Sequence, residues 1–270
     1  MEFKTQESSK KIHLNYKIKN YDRSVGAKVS GYLASNYGLN EGKDSIQLKI
    51  HFRGIAGQSF GVWNHNGVEL NLQGDANDYV GKGMSGGQIS IYPADNIQYI
   101  PSRSAIIGNT CLYGATGGKL FAAGQAGERF AVRNSGAVTV IEGVGDHACE
   151  YMTGGTVVIL GPVGENFGAG MTGGKAFVFD DFELLEQKAN LETVKIISLT
   201  DNVNEVYEQE LRQLLIEHIE KTNSRWAQKV MNNFDNYVDG FKVVVPKVIN
   251  KNSTIEPLQL LSSSTKVGGS

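Results

Sequence analysis

The sequence predicts an all-β protein: a single-stranded right-handed parallel β-helix of ~19-residue coils, followed by short C-terminal helices. Three observations predict it. Glycine is abundant, with 33 residues against 5 prolines in 270. Gly67, Gly87, Gly118, Gly136, Gly155 and Gly174 each open a run of alternating or β-branched residues, at steps of 20, 31, 18, 19 and 19. When these runs are stacked, residue types stay in columns, as in a solenoid where each residue lies over its counterpart one coil away.

The columns carry the reading. Two residues before each glycine stand His65, Ser85, Thr116, Asn134, Thr153 and Thr172; three before stand Asn64, Met84, Ala115, Arg133, Met152 and Met171. Two and four residues after it come Ile89 and Ile91, Leu120 and Ala122, Val138 and Val140, Val157 and Ile159, Ala176 and Val178. Period-2 apolar positions mark strands with one buried face. The long step holds an insertion, Pro93–Ser104, and removing its 12 residues returns 19. Two or three strands of ~3–5 residues joined by tight turns fit such a coil. A β-propeller blade repeats at ~40–50 residues, and sandwich strands lack this register.

Around the repeats the chain changes character. Residues 1–40 are polar, with one short helix expected over Ser24–Asn36, capped by Asp22 or Ser24 and ended by Gly38. The β-helix is assigned to residues 41–200. Residues 201–247 read as a helical tail, in which Leu211, Leu214, Leu215, His218 and Ile219 share one face and Thr222-Asn223-Ser224 breaks the run. Residues 248–270, rich in serine and glycine, read as a disordered end.

Composition narrows the function. Hydrophobic residues make up 40% and charged residues 20%, which excludes wholesale disorder. A net charge of -2 gives no broad attraction to nucleic acid or an anionic membrane. Two cysteines, no signal-like N-terminus and no long apolar run point to a cytoplasmic protein.

Each chemical motif has a structural reading beside it. Gly81-Lys-Gly83-Met-Ser-Gly86-Gly87 precedes a strand, whereas phosphate-cradling glycine loops open a helix, and it returns as Gly168-Ala-Gly170-Met-Thr-Gly173-Gly174; both read as corner geometry. Asp146, His147, Cys149 and Glu150 are metal-ligand types, yet a 19-residue register puts Glu128 below His147 and Asn166 above it, giving a polar ladder. Cys149 beside His147 reads as a buried small side chain, because nucleophile and base normally converge from different elements. Arg129, Arg133, Glu128 and Glu142 read as mutual ion pairs. An independent metal-binding enzyme using His147, Cys149, Glu128 and Arg133 is the competing reading.

Several longer strings carry a resemblance. They are Asp22-Arg-Ser-Val-Gly26, Gly57-Gln-Ser-Phe-Gly61, Gly74 to Gly83, Gly108 to Gly117, Gly127 to Gly136 and Glu142 to Gly155. Over residues 12–247, including Phe241-Lys-Val-Val-Val-Pro246, the chain resembles the C-terminal GXGXG domain of the glutamate synthase large subunit. The resemblance implies a non-catalytic structural domain, part of an oxidoreductase of glutamate biosynthesis and inactive alone. It implies partners in a glutamine amidotransferase domain and an FMN-binding synthase domain, which hold the FMN and the iron–sulfur cluster. It carries over no catalytic, cofactor-binding or metal-binding residue to this chain. It also leaves open a free-standing β-helix subunit, similar to those of N-methylglutamate synthase or formylmethanofuran dehydrogenase, and a plastid location in a photosynthetic eukaryote. Pro93–Ser104, with Ile97, Tyr99, Ile100 and Pro101, is expected to face the partner domains.

Overall fold

A computed structural model describes residues 11–37, 46–200 and 205–247. The ends of the expected helix at Gly38 and of the chain over 248–270 lie outside these residues.

Among the described residues, twelve strands form one sheet. They are β1 (Lys11–Ile18), β2 (Gln47–Ala56), β3 (Val68–Ala76), β4 (Ser85–Tyr92), β5 (Ala105–Ile107), β6 (Gly117–Ala122), β7 (Gln125–Ala126), β8 (Ser135–Ile141), β9 (Thr153–Ile159), β10 (Gly173–Phe179), β11 (Val194–Ser198) and β12 (Phe241–Pro246). The helices are α1 (Ala27–Tyr37), α2 (Leu185–Lys188), α3 (Glu205–Thr222), α4 (Arg225–Asn232) and α5 (Phe234–Tyr237). The sheet runs β1-β2-β3-β4-β6-β8-β9-β10-β12-β11, with β5 beside β3 and β7. It is parallel from β1 to β10, while β12 pairs antiparallel with both β10 and β11.

This corrects the predicted right-handed parallel β-helix: the strands form an open mixed sheet. Each repeat supplies one main strand to it, in place of the two or three short strands expected per coil. Most of the remaining repeat consists of consecutive tight turns. Ser59, Gly61 and Trp63 have φ of 64°, 68° and 56°, and the same alternation returns at Arg129, Ala131 and Arg133 and at His147, Cys149 and Tyr151. A backbone that enters the left-handed region at every second residue cannot pleat into a strand.

The register also departs from equal spacing. Glu69 pairs with Gln88 and Lys119 with Val138, so the Gly67 and Gly136 repeats are each displaced by one residue from the glycine alignment. A bulge near Ser135, between β8 and β9, absorbs the second of these slips. As a result Asn134, not Arg133, is buried in line with Asn64: each donates Nδ2 to a carbonyl ahead of it, of Ala137 and Val68. Thr139, not Val138, enters the inward column between Leu120 and Val157.

Two cores result. The inner one joins Leu70, Ile89, Leu120, Val157 and Ala176 of the strands to Phe60, Val80, Leu112, Phe130 and Phe167 of the turns. The outer one joins Phe121, Val140, Val158 and Phe177 on the other sheet face to Leu211, Leu214 and Leu215 of α3 and to Ala227 and Val230 of α4. His218 is also buried on this face and Ile219 is partly so. Ser224 ends the break between the helices by accepting from Ala227 N at 3.0 Å, a side-chain cap for α4. Near α1, Asp22 instead accepts from Lys19 N at 2.9 Å.

Candidate interaction surfaces and the fate of the reactive side chains

The turn face brings the metal-ligand types together only in part. His147 Nδ1 lies 2.9 Å from Glu150 Oε1, and Asn166 Nδ2 donates to the same oxygen at 3.0 Å. Asn190 Nδ2 donates to Asn166 Oδ1 at 3.0 Å, extending the chain of bonds. Glu128 is not in it. Arg129 occupies the turn position equivalent to His147: each has positive φ and donates its N–H to the next repeat, to Asp146 O and Glu165 O. The step between them is 18 residues, so a 19-residue count lands on Glu128. Glu128 instead aligns with Asp146 and gives its N–H to Asn109 Oδ1 at 2.8 Å. Asp146 in turn accepts from Glu165 N at 2.7 Å. These acids and amides tie one turn to the next.

Cys111 and Cys149 are fully buried and free, and burial pushes each thiol up to about 12. Thiols held neutral this firmly make poor nucleophiles and poor metal ligands. Two of them also fall short of the four thiolates that an iron–sulfur cluster takes, so these residues do not fit that group. Among the described residues, no group of three or more His, Cys, Asp or Glu side chains could hold a metal ion.

The expected mutual pairing of Arg129, Arg133, Glu128 and Glu142 does not form. Three of them are exposed on the turn face, whereas Glu142 is buried at the end of β8 under the helices. There it accepts from Ser224 Oγ and lies 3.6 Å from His218 Nε2. Sequence reasoning placed His218 on the apolar face of α3 but had no signal for Glu142, whose partners are 76 and 82 residues away. Its burial also leaves Glu142 Oε2 and both His218 ring nitrogens without hydrogen-bond partners among the described residues.

In the repeated corner motif Gly81 and Gly83 each have φ of 63°, and Gly168 and Gly170 have 70° and 67°. A Cβ on Gly170 would come within 2.6 Å of the Tyr151 ring one repeat below. Trp63 lies over Gly83 in the same way. Both rings remain more than half exposed. In the insertion, Tyr99 and Ile100 are exposed and Ile97 is partly buried. Its base is tied down by Gln125, which donates Nε2 to Ser102 O and its backbone N–H to Ser104 O.

The molecule is thus a glycine-rich repeat protein with, among the described residues, one mixed sheet, on whose turn face His147, Glu150 and Asn166 bond one another. The GXGXG motif family matches residues 3–247, and the chain belongs to it. It is 52% identical over 240 residues to ferredoxin-dependent glutamate synthase from Cyanidium caldarium, covering 89% of this chain and 15% of that protein. It is 50% identical over 231 residues to ferredoxin-dependent glutamate synthase 2 from Synechocystis, covering 86% of this chain and 14% of that one. To the chloroplastic ferredoxin-dependent enzyme of Spinacia oleracea it is 45% identical over 264 residues, 98% of this chain and 16% of the relative. The chain therefore spans about one sixth or less of these relatives, each a larger glutamate synthase.

Proposed function

We propose that the chain is a structural and interaction domain of a glutamate synthase, holding the glutamine amidotransferase and FMN-binding synthase domains in their working arrangement. The observation that carries this reading is the 52% identity over nearly the whole chain to one segment of a much longer glutamate synthase. The side chains support a non-catalytic role, since His147, Glu150 and Asn166 bond one another and both cysteines are buried. In this reading FMN and the iron–sulfur cluster reside in the partner domains. The repeat domain, residues 41–200, is flanked in this reading by a lead-in and a tail over 201–247, and each adds a strand, β1 and β12, to its sheet. The compartment follows the whole enzyme: the cytoplasm, or the plastid in a photosynthetic eukaryote, as the name of the spinach relative suggests.

The test is reconstitution. The chain is mixed with the remaining part of the subunit produced separately. Co-elution on size exclusion and a gain in glutamine-dependent glutamate formation are expected. No co-elution together with unchanged activity overturns the reading.

A further inference from the structure

The outward column of the sheet shows how this protein neutralises its own cations. It runs Lys49, Glu69, Gln88, Lys119, Val138, Thr156 and Lys175 across successive strands. Helix α3 crosses those strands with its acids aimed at the lysines. Glu210 Oε2 lies 2.9 Å from Lys175 Nζ, its Oε1 accepts from Thr156 Oγ1 at 3.1 Å, and Glu217 Oε2 lies 2.6 Å from Lys119 Nζ. The helix ends at Thr222, beyond which the outward faces of β3, β2 and β1 have no helical cover among the described residues.

That uncovered half is basic. Lys17 and Arg53 are register partners on β1 and β2, next to Gln73 on β3. With Asn15, His51 and Tyr92 they line an open groove of about 490 Å³. Arg53 Nε donates to Gln73 Oε1 at 2.9 Å, which braces the guanidinium. Its carboxylate neighbour, Asp95, is 3.9 Å away with both side chains 72% exposed, a weak pair in water. Lys17 has no ion pair among the described residues. Burial, and then the charge of Lys49, hold His51 below its usual value; Glu69 opposes this and His13 adds to it.

We propose that the outward face of β1–β3 docks an acidic segment of a protein partner, whose carboxylates meet Lys17 and Arg53 as Glu217 and Glu210 meet Lys119 and Lys175. The partner's identity as the rest of a glutamate synthase rests on the function proposed above; the acidic chemistry does not. A carboxylate-bearing helix fits better than a nucleic acid, because the molecule already covers the other half of this face with one.

Two measurements test it. With labelled histidines, the His51 imidazole is titrated by NMR with and without a 20-residue polyglutamate peptide. An added anion favours the imidazolium, so the midpoint is expected to rise by about half a pH unit or more. The rise should vanish in the Lys17→Glu/Arg53→Glu variant, whose two changes are at exposed positions and should leave the melting temperature unaltered. No rise, an equal rise in the variant, or a rise with duplex DNA alone overturns the proposal. In the second measurement, the same variant should bind the rest of the subunit about tenfold more weakly than wild type, as loss of ~1.4 kcal/mol would give. Equal binding overturns the docking face and leaves the structural-domain reading intact. Failure of the wild type to bind, with His51 still answering polyglutamate, overturns the glutamate synthase reading and upholds the acidic-partner face.

Discussion

Lys175 and Glu210 meet across the interface between sheet and helix, Nζ to Oε2 at 2.9 Å, with only 11% and 14% of their side chains exposed. The Tyr207 ring lies 5.5 Å from the same ammonium. Removing one partner leaves a charge with little access to water, which is more damaging than losing the pair. Glu210→Gln should lower unfolding free energy in urea by about 3 kcal/mol, whereas Lys175→Met with Glu210→Leu should recover most of it. Equal losses in the single and double variants would show the pair to be solvated.

Thr139 tests the register. Its side chain lies in the inward column between Leu120 and Val157, fully buried, and its Oγ1 has no hydrogen-bond partner among the described residues. Thr139→Val removes an unbonded hydroxyl at nearly constant shape and should stabilise the fold by about 1–2 kcal/mol. A destabilised variant would mean that the hydroxyl is bonded, and that the displaced register is wrong.

Gly54 and Gly74 are register partners within β2 and β3, with φ of 133° and 142°. A Cβ on Gly74 would sit 1.8 Å from Gly54 O, and one on Gly54 2.1 Å from Ile18 O. These obstacles are backbone and cannot swing away. Gly74→Ala should cost roughly 3 kcal/mol or more. Gly31→Ala, in α1 where a Cβ would meet nothing within 4 Å, should instead stabilise by about 0.5–1 kcal/mol. Thermal melts of the two variants should therefore move in opposite directions.

The buried thiols predict a pH dependence. Burial stabilises the neutral form, so the folded chain keeps protons that the unfolded chain releases above about pH 8.5. Below that pH the thiols leave stability unchanged; as pH climbs toward 12 stability falls, by about 1.4 kcal/mol per pH unit per thiol. Between pH 9 and 10.5 the Cys111→Ala/Cys149→Ala variant should lose about 2–4 kcal/mol less than wild type. Native protein should also resist a disulfide-exchange reagent at pH 8 and react fully in urea. Rapid labelling of the native chain would refute the burial.

The insertion predicts a separation of binding from stability. Tyr99 and Ile100 project from Pro93–Ser104 and are 44% and 58% exposed. Replacing Ile97, Tyr99 and Ile100 with Ser should weaken association with the partner domains proposed above by tenfold or more while shifting the melting temperature little. A large fall in melting temperature with unchanged association would identify the loop as a cover for this chain's own sheet.

The main features legible in the sequence are those that a short stretch of chain decides alone. Alternation at Ile89 and Ile91 or Val157 and Ile159 marks strands because the pleat has period two. Leu211, Leu214 and Leu215 mark a buried helical face because the turn has 3.6 residues. The repeated Gly81/Gly83 and Gly168/Gly170 motifs mark corners because left-handed backbone favours a residue without a Cβ. What the tertiary structure decided lies between repeats and between distant segments. An 18-residue step moved Arg129 under His147, and the displaced register of β8, with its bulge near Ser135, moved Thr139 into the core, while an equal-spacing count placed Glu128 and Val138 there. The return of Phe241–Pro246 antiparallel to β10 made the sheet mixed, and the crossing of α3 brought Glu210 and Glu217 onto Lys175 and Lys119. Side-chain periodicity constrains a residue relative to its near neighbours, but which strand edge or ion it meets depends on the path of the whole intervening chain, and that path is set by packing.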